Sequence, residues 1–362
     1  MSTYIDLHIL QDLPPSNINR DDNGTPKHAV YGGVQRLRVS SQAWKRATRK
    51  HFEENGAQAD LGVRTRRLQA LLSELVAARG IEPSRAATLA AAGLAQLKIK
   101  PGKKGAESSY LFFASRQHLE LVAAKLAEAG DPGEVQVAKL LGSMHSLDVA
   151  LFGRMVADMA ALNVDAAAQV AHAISTHAAQ TQFDYFVAVD DEQDQDEPGA
   201  GMIGTVEFNS ATIYRFATVG LEQLVDNMAD REKAIEGVGR FIRSFAESMP
   251  TGHQSSFAAR TRPHLILVVI RDDQPVNLVG AFEEPIRAVN GSGYVQPSLR
   301  ALAETYRDET ARWGDTPRLV VASYSAHGTV ADSVADVFGP SLTRDELVAG
   351  VTGALAQGGV DG

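Results

Sequence analysis

The stretch VQRLRVSSQAWKRATRK, residues 34–50, contains the change of pattern that decides the fold class. Its first six residues begin and end with β-branched valine and could form a short strand, whereas the residues from Gln42 onward favour a helix. Ser40 or Ser41 is a suitable N-cap, because a serine hydroxyl accepts a hydrogen bond from a backbone amide in the first helical turn. The stretch therefore predicts a strand that leads directly into a helix with cationic side chains.

Strands and helices alternate on both sides of this junction. The predicted strands are residues 3–10, 34–39, 183–189, 205–219, 265–270 and 319–322, and the predicted helices are 42–50, 166–178, 221–248 and 298–313. A polar loop is predicted over 11–25, a helical insertion over 55–150, and a long hairpin over 183–219 with an acidic tip at 190–201. Strands separated by helices in this way predict an α+β fold of the ferredoxin-like type.

The composition limits the class of protein. A length of 362 residues, with 44% hydrophobic and 22% charged side chains, is typical of two globular domains or of one domain with a large insertion. The absence of cysteine excludes disulfides, a cysteine nucleophile and cysteine-ligated metal sites. No apolar run is long enough to span a membrane and no secretory signal begins the chain, so we expect a soluble, cytoplasmic protein.

The charge is distributed unevenly along the chain. The net charge is −9, yet residues 27–51 contain seven lysines and arginines and no acidic residue. The remaining residues carry 28 basic and 44 acidic side chains. A basic segment in an otherwise acidic chain predicts a local site for an anion rather than a generally cationic surface.

The basic segment has the chemical groups that bind phosphate. Lysine, arginine, hydroxyl and amide side chains contact nucleic-acid backbones, and the N-terminus of a helix adds backbone N–H donors. Arg36, Arg38, Ser40 and Gln42 supply such groups close together, and Gly32-Gly33 permits close approach of the backbone. A solvated basic helix face gives the same pattern. From the residues alone, a phosphate site and a solvated face are about equally supported.

Two other features could hold a metal ion. Asp21 and Asp22 lie beside the basic segment, where their carboxylates could hold a divalent ion against a phosphate. Aspartate is also a common turn residue, and this structural interpretation is the more frequent one. His172 and His177 are five residues apart, which is not the i,i+4 spacing of a zinc-binding helix, so we interpret them as structural.

Met155 and Phe186 are large apolar side chains near the predicted hairpin. Composition alone favours a place in the hydrophobic core for both. If they are exposed beside a nucleic acid, the same side chains could stack on bases or wedge between them. The glycines in 291–293 lack a preceding strand and a third glycine, so they do not indicate a dinucleotide site.

Seven motifs carry a resemblance to a known family. They are 15–22 (PSNINRDD), 29–33 (AVYGG), 36–42 (RLRVSSQ), 153–155 (GRM), 171–177 (AHAISTH), 185–191 (YFVAVDD) and 294–298 (YVQPS). In this order they closely resemble the backbone subunit of the type I-E CRISPR surveillance complex, Cascade (the CasC family of the RAMP superfamily). The resemblance extends over nearly the whole chain and is weakest in the helical block at 55–150.

The resemblance implies a modified ferredoxin-like palm, similar to an RNA-recognition motif, with a helical fingers insertion and a β-hairpin thumb. The palm would comprise 1–54, 151–220 and 221–362, the fingers 55–150, and the thumb about 181–208. Copies of the chain would form a hexameric filament along the guide crRNA, together with the large, small, cap and crRNA-processing subunits. The assembled complex would pair the guide with target DNA and recruit a separate nuclease-helicase. The family needs no cofactor or metal for this role and acts without a membrane.

The resemblance also assigns roles to residues. Arg20, Lys27, Ser40, Gln42, Lys45 and Arg49 match the positions that hold the phosphates and sugars of the guide. Arg38 and Arg46 are added to this set because of their charge and not because they match the family. Met155 and Phe186 match the apolar residues beside a displaced base, which favours the exposed interpretation over the core one. Charge alone makes four lysines candidates for contact with DNA, namely Lys98, Lys100, Lys103 and Lys104.

The expected function is therefore a non-catalytic one, and two enzymatic alternatives stay open. Related backbone subunits of RNA-targeting complexes cleave RNA with a metal and an aspartate in the loop after the first strand, where Asp21 and Asp22 lie. A guide-processing ribonuclease that uses His28 is the weaker alternative, because a lone histidine without a partner is a poor general acid or base.

Overall fold

The computed structural model describes residues 2–56, 60–99, 107–156, 158–188, 202–288 and 293–358. The strands are β1 (Tyr4–Ser16), β2 (His28–Tyr31), β3 (Val34–Val39), β4 (Gly62–Thr65), β5 (Phe112–Ser115), β6 (Ala168–Val170), β7 (Ala173–Ser175), β8 (Gln182–Ala188), β9 (Met202–Gly220), β10 (Leu265–Arg271) and β11 (Leu319–Tyr324). The helices are α1 (Ser41–Glu54), α2 (Leu68–Ala77), α3 (Pro83–Ala95), α4 (Arg116–Ala129), α5 (Val137–Leu140), α6 (Leu147–Phe152), α7 (Leu221–Met228), α8 (Arg231–Glu247), α9 (Gln254–Phe257), α10 (Val295–Trp313), α11 (Thr329–Phe338) and α12 (Arg344–Gln357).

The main sheet is antiparallel and follows the order β11-β10-β1-β9-β7-β3-β2, with β6 and β8 also paired to β9. At its centre Leu7 of β1 lies opposite Ala217 of β9 on one side and Val268 of β10 on the other. At the centre of this order the neighbouring strands are distant in the chain, since β1 lies between β9 and β10. The fold is therefore α+β, as the sequence predicts, and its long-range pairings bring the N-terminal strand to the centre.

Helices cover both faces of the sheet, which explains why β10 is buried along its whole length. Alternate residues such as Val268 face one layer, where Trp44 of α1, Phe241 of α8 and Val351 of α12 pack. The intervening residues face the other layer, which contains the apolar sides of α10 and α11. A continuous apolar strand is the pattern expected of a strand that is buried on both faces.

The segment between α1 and β6 has a hydrophobic core of its own. Apolar side chains of α2, α3, α4 and α5 pack there, together with Val156 and Leu162. Within this segment β4 and β5 form a separate two-stranded antiparallel ribbon. The sequence predicts the helices of this region but not the ribbon, since each strand has only four residues.

The hairpin predicted over 183–219 consists of β8 and β9. Its pairing runs from Gln182 opposite Phe208 to Ala188 opposite Met202. The acidic tip at 190–201 lies outside the described residues. Beyond the hairpin, β9 continues as the neighbour of β1 in the main sheet.

Three sequence-based predictions of secondary structure are wrong. The predicted helix 166–178 is β6 and β7, because pairing with β9 and β3 outweighs the helix propensity of its alanines. The predicted loop begins only after Ser16, since β1 continues past a register shift at Pro14 and Pro15. The predicted helix 221–248 is two helices, interrupted at Ala229 with φ 54°.

None of the helices in the described ranges is long and apolar enough to cross a membrane.

Candidate nucleic-acid interface

Helix α1 begins where β3 ends, and its N-terminus has no acidic side chain in the first turn. The Ser40 hydroxyl is the N-cap and accepts a hydrogen bond from the backbone N–H of Ala43 at 3.3 Å. The backbone N–H of Ser40 in turn donates to Oδ1 of Asn19 at 2.8 Å, which ties the preceding loop to the helix. The positive end of the helix dipole is thus left without a carboxylate of its own.

Three basic side chains lie around this helix end. Nη1 of Arg38 is 3.3 Å from Nδ1 of His172, which also lies 3.3 Å from the backbone nitrogen of Ser41. Burial lowers the pKa of His172, and the positive charges of Arg38 and Lys27 lower it further. His172 thus contacts both the helix terminus and Arg38, and its lowered pKa disfavours a further positive charge beside Lys27 and Arg38.

The two long sides of α1 face different parts of the chain. Lys45 and Arg49 face the insertion: Nζ of Lys45 lies 5.9 Å from the centre of the Phe152 ring, and partial burial lowers the pKa of Lys45. Nε of Arg49 is 3.0 Å from Oδ2 of Asp148, a carboxylate whose side chain is almost fully buried. Arg49 is thus engaged within the chain, whereas Lys45 has no acidic partner in the described part.

The other side of α1 lines a cleft of about 380 Å³. Arg46 and Lys50 of the helix face Arg20 from the loop after β1, and Arg260 from the segment between α9 and β10. Arg20 also contacts Nε2 of His253. Glu54 and Glu247 are the acidic residues of the lining, and Glu247 pairs with His51 and Arg344 at its rim. The balance of charge in the cleft is positive, so it suits an anion.

Arg36 departs from the predicted role, because its guanidinium is completely buried. It donates to the backbone carbonyls of Tyr31, Ser175, Phe282 and Glu283 at 2.8–3.2 Å. Arg36 therefore connects β3 to β7 and to the segment before α10. The basic segment offers solvent fewer cations than its sequence indicates.

Met155 and Phe186 are not core residues. The side chain of Met155 is 81% exposed, although its neighbour Arg154 is buried and donates to three backbone carbonyls. Phe186 is 39% exposed, and its ring lies over Gly204, where an added Cβ would come within 2.4 Å of it. Large apolar groups that face solvent are suited to contact with bases.

Of the two loop aspartates, Asp21 forms hydrogen bonds within the loop itself. Oδ1 of Asp21 accepts hydrogen bonds from the backbone N–H groups of Asn23 at 2.9 Å and Thr25 at 3.0 Å. Asp22 is exposed. Among the residues that the structure describes, no group of three or more histidines or carboxylates could hold a metal ion.

The structure thus brings most of the predicted RNA-contacting residues to α1 and its surroundings. Lys27, Arg38, Gln42, Lys45 and Arg46 retain solvent-accessible surface there, and Gln42 and Arg46 are among the exposed ones. Ser40 is buried at the cap and Arg49 is paired. Of the four lysines considered for DNA, Lys98 has φ 52° in the turn after α3, and Lys100, Lys103 and Lys104 lie outside the described residues.

Sequence reasoning missed His172 and Arg260. His172 lies beside α1 only because β7 pairs with β3, with Ala173 opposite Val39. Arg260 reaches the cleft because the turn at Gly252 packs tightly on the loop after β1. A Cβ atom added at Gly252 would lie only 2.6 Å from the carbonyl oxygen of Ile18. Neither contact leaves a local signal in the sequence, since each joins segments more than a hundred residues apart.

Comparison with known proteins gives a family and related structures. A family model described as CT1975-like protein matches residues 5–348. A chain of a solved structure described as a CRISPR RNA-guided surveillance complex, pre-nicking, is 32% identical, with a TM-score of 0.82 and coverage of 97% of this chain and 100% of that chain. A second, described as a CRISPR RNA-guided surveillance complex, is 27% identical, with a TM-score of 0.64 and coverage of 97% and 99%. No match was found among curated proteins.

Proposed function

Since this chain belongs to the CT1975-like protein family, we propose that it is a guide-RNA-binding subunit of a CRISPR surveillance complex and that it holds the RNA without cleaving it. In this role several copies lie along one crRNA and form the backbone of the complex, a hexameric filament. The large, small, cap and crRNA-processing subunits complete the assembly, which acts in the cytoplasm on target DNA.

One observation carries this proposal: the exposed cations around the N-terminus of α1 have no acidic partner in the described part of an otherwise acidic chain. Unpaired like charges repel one another, so their grouping favours the binding of an anion such as phosphate among them. A protein that presents a guide must leave the base edges free for pairing. It therefore grips the backbone, and the side chains at this site are of the type that does so.

The finer architecture of the proposal follows the family resemblance. The central strands in the order β10-β1-β9-β7, with α1 after β1 and α8 after β9, support a ferredoxin-like palm. The separate core between α1 and β6 supports a fingers insertion, and the β8–β9 hairpin supports a thumb. In this arrangement the thumb of one copy covers RNA that is held by the next copy.

The residues divide into three groups in this proposal. Phosphates are held by Arg20, Lys27, Arg38, Gln42, Lys45 and Arg46. Ser40 fixes the start of α1, so that backbone N–H groups point toward the RNA, and Arg49 fixes α1 against the insertion through Asp148. Met155 and Phe186 contact a base that is displaced from the stack.

The test is binding of the full chain to single-stranded RNA of unrelated sequence at increasing salt, followed by a gel that reports the length of the RNA. We expect sequence-independent binding that weakens steeply with salt and leaves the RNA intact. The variant Lys27→Ser/Arg46→Ser should lower the salt slope by about 1.4, because each lost phosphate contact on a single strand contributes about 0.7. The matched control Arg85→Ser/Arg300→Ser removes two exposed arginines elsewhere and should bind as the wild type does.

Two results would contradict the proposal. If Lys27→Ser/Arg46→Ser binds RNA with an unchanged salt slope, the surface around α1 is a solvated helix face. If the RNA is shortened only when magnesium is present, and Asp21→Ala or Asp22→Ala abolishes the shortening, the chain is a metal-dependent ribonuclease.

A further inference from the structure

One face of the β4–β5 ribbon packs on the core of the insertion. On the other face β4 presents Arg64 to solvent, whereas Phe113 of β5 is buried against Val149 and Val164. Val63 of β4 lies opposite Ala114 of β5, and both pack on the core of the insertion. Arg64 lies opposite Phe113, and directly opposed residues of an antiparallel pair project to the same side. Because successive side chains alternate between faces, Arg64 and Phe113 lie on the face turned away from the core of the insertion.

Phe113 and Gly62 place the ribbon beside α1, the helix of the proposed RNA site. The guanidinium carbon of Arg49, on α1, lies 4.4 Å from the centre of the Phe113 ring. Nη1 of Arg154 donates to the carbonyl oxygen of Phe113 at 3.2 Å, and the exposed Met155 follows Arg154 directly. The ribbon therefore packs against α1 and against the segment that carries Met155.

Three arginines lie in β4 and directly after it. Arg64 lies in β4, and Arg66 and Arg67 follow it before α2 begins. All three side chains are exposed, and within the described ranges none of them forms an ion pair or donates a side-chain hydrogen bond. Arg67 occupies the N-cap position of α2 without capping it, so the fold does not use its side chain there.

We propose that Arg64, Arg66 and Arg67 form a second phosphate-binding surface, which takes the nucleic-acid backbone beyond the segment that α1 holds. This inference rests on the proposed function, because it assumes that a nucleic acid lies along α1. Guanidinium groups bind phosphate through two parallel N–H donors and remain charged at every physiological pH. These properties suit sequence-independent binding of a nucleic-acid backbone. The backbone could belong to the guide RNA or to the target strand paired with it, since both present the same phosphodiester.

The experiment compares Arg64→Ser/Arg66→Ser/Arg67→Ser with the wild type as full chains. One probe is a single-stranded RNA of unrelated sequence, and the other is the same RNA annealed to a complementary DNA strand. Serine at position 67 is a good N-cap residue, so α2 is not weakened by that change. The matched control Arg85→Ser/Lys139→Ser/Arg300→Ser removes the same charge from exposed positions on other surfaces.

A salt slope lower by about 2 on single-stranded RNA supports the inference and assigns the surface to the guide, because three contacts on a single strand contribute about 0.7 each. A loss confined to the RNA–DNA hybrid supports the inference and assigns the surface to the target strand. In both cases the control should match the wild type.

Equal slopes for the triple variant and its control, on both probes, would overturn the inference. The proposed function fails separately: it falls if Lys27→Ser/Arg46→Ser leaves RNA binding unchanged, even when the ribbon variant weakens it. Equal unfolding midpoints in urea for all variants exclude misfolding as the cause of any loss.

Discussion

Arg49 and Asp148 join helix α1 to the insertion through an ion pair of 3.0 Å between Nε and Oδ2. The other carboxylate oxygen of Asp148 accepts hydrogen bonds from the backbone N–H of Gly62 at 2.7 Å and from the hydroxyl of Ser146 at 2.9 Å. One buried carboxylate thus holds α1, the first residue of β4 and the start of α6 together. The basic helix and the arginine-bearing ribbon are fixed relative to each other by this contact.

Arg49→Ala is expected to lower the free energy of unfolding by about 3 kcal/mol, because it leaves the buried carboxylate of Asp148 without its counter-charge. Urea unfolding at neutral pH measures this change. Lys45→Ala is the control on the same helix side, and it should unfold within about 1 kcal/mol of the wild type, since Lys45 has no ion pair among the described residues. An Arg49→Ala variant with wild-type stability and much weaker RNA binding would show that Arg49 contacts RNA instead.

Arg36→Met should destabilise the protein by about 3 kcal/mol or more, because four carbonyl oxygens lose their donor and those of Ser175 and Phe282 are buried. Arg38→Met changes a neighbouring arginine in the same strand that keeps solvent-accessible surface. We expect this second variant to fold normally and to bind RNA more weakly. The pair of variants separates structure from binding, and equal effects of the two on stability would contradict the assignment of Arg36 to the interior.

Met155→Ala should change the free energy of unfolding by less than about 0.5 kcal/mol, because the side chain is largely exposed. If Met155 contacts a displaced base, RNA affinity should fall about 5-fold, which corresponds to about 1 kcal/mol of lost contact. Met144→Ala removes another exposed methionine and serves as the control. Identical RNA affinities for the two variants would remove Met155 from the interface.

Stability should also depend on the protonation of His8, which lies in β1 with Nδ1 2.8 Å from the hydroxyl of Tyr214. Burial lowers the pKa of His8 from 6.5 to about 3. The folded state therefore excludes a proton that the unfolded chain binds. The contribution of neutral His8 to the free energy of unfolding is complete above pH 6.5 and declines as the pH falls toward 3.

Between pH 7 and pH 4 this contribution to the free energy of unfolding should fall by roughly 3 kcal/mol. Urea midpoints across this range measure it. His8→Gln keeps a polar group near Tyr214 but does not titrate, so its midpoint should fall less steeply on acidification. Parallel curves for the two proteins would show that the imidazole is already accessible to protons in the folded state.

The sequence predicts the elements whose signal is local. The strand at Val34–Val39 is confirmed, and Ser40 is the N-cap of the two serines that the sequence offers, because a residue pattern and a capping hydroxyl act within a few positions. The hairpin of β8 and β9 and the buried strand β10 are confirmed for the same reason. The predicted helix at 166–178 is wrong, since its alanines adopt strands only where β9 and β3 supply partners.

The candidate site also has one part that the sequence predicts and another that it does not. The sequence by itself determined that one short segment of an acidic chain concentrates cations next to a helix start, because charge and composition are properties of the residues alone. Only the tertiary structure decided which of those cations meet solvent. Arg36 and Arg49 have the same chemistry as Arg38 and Arg46, yet carbonyls from β7 and the buried carboxylate of Asp148 engage the first two. Burial and pairing depend on partners that lie far along the chain, and only the folded chain brings these partners into contact.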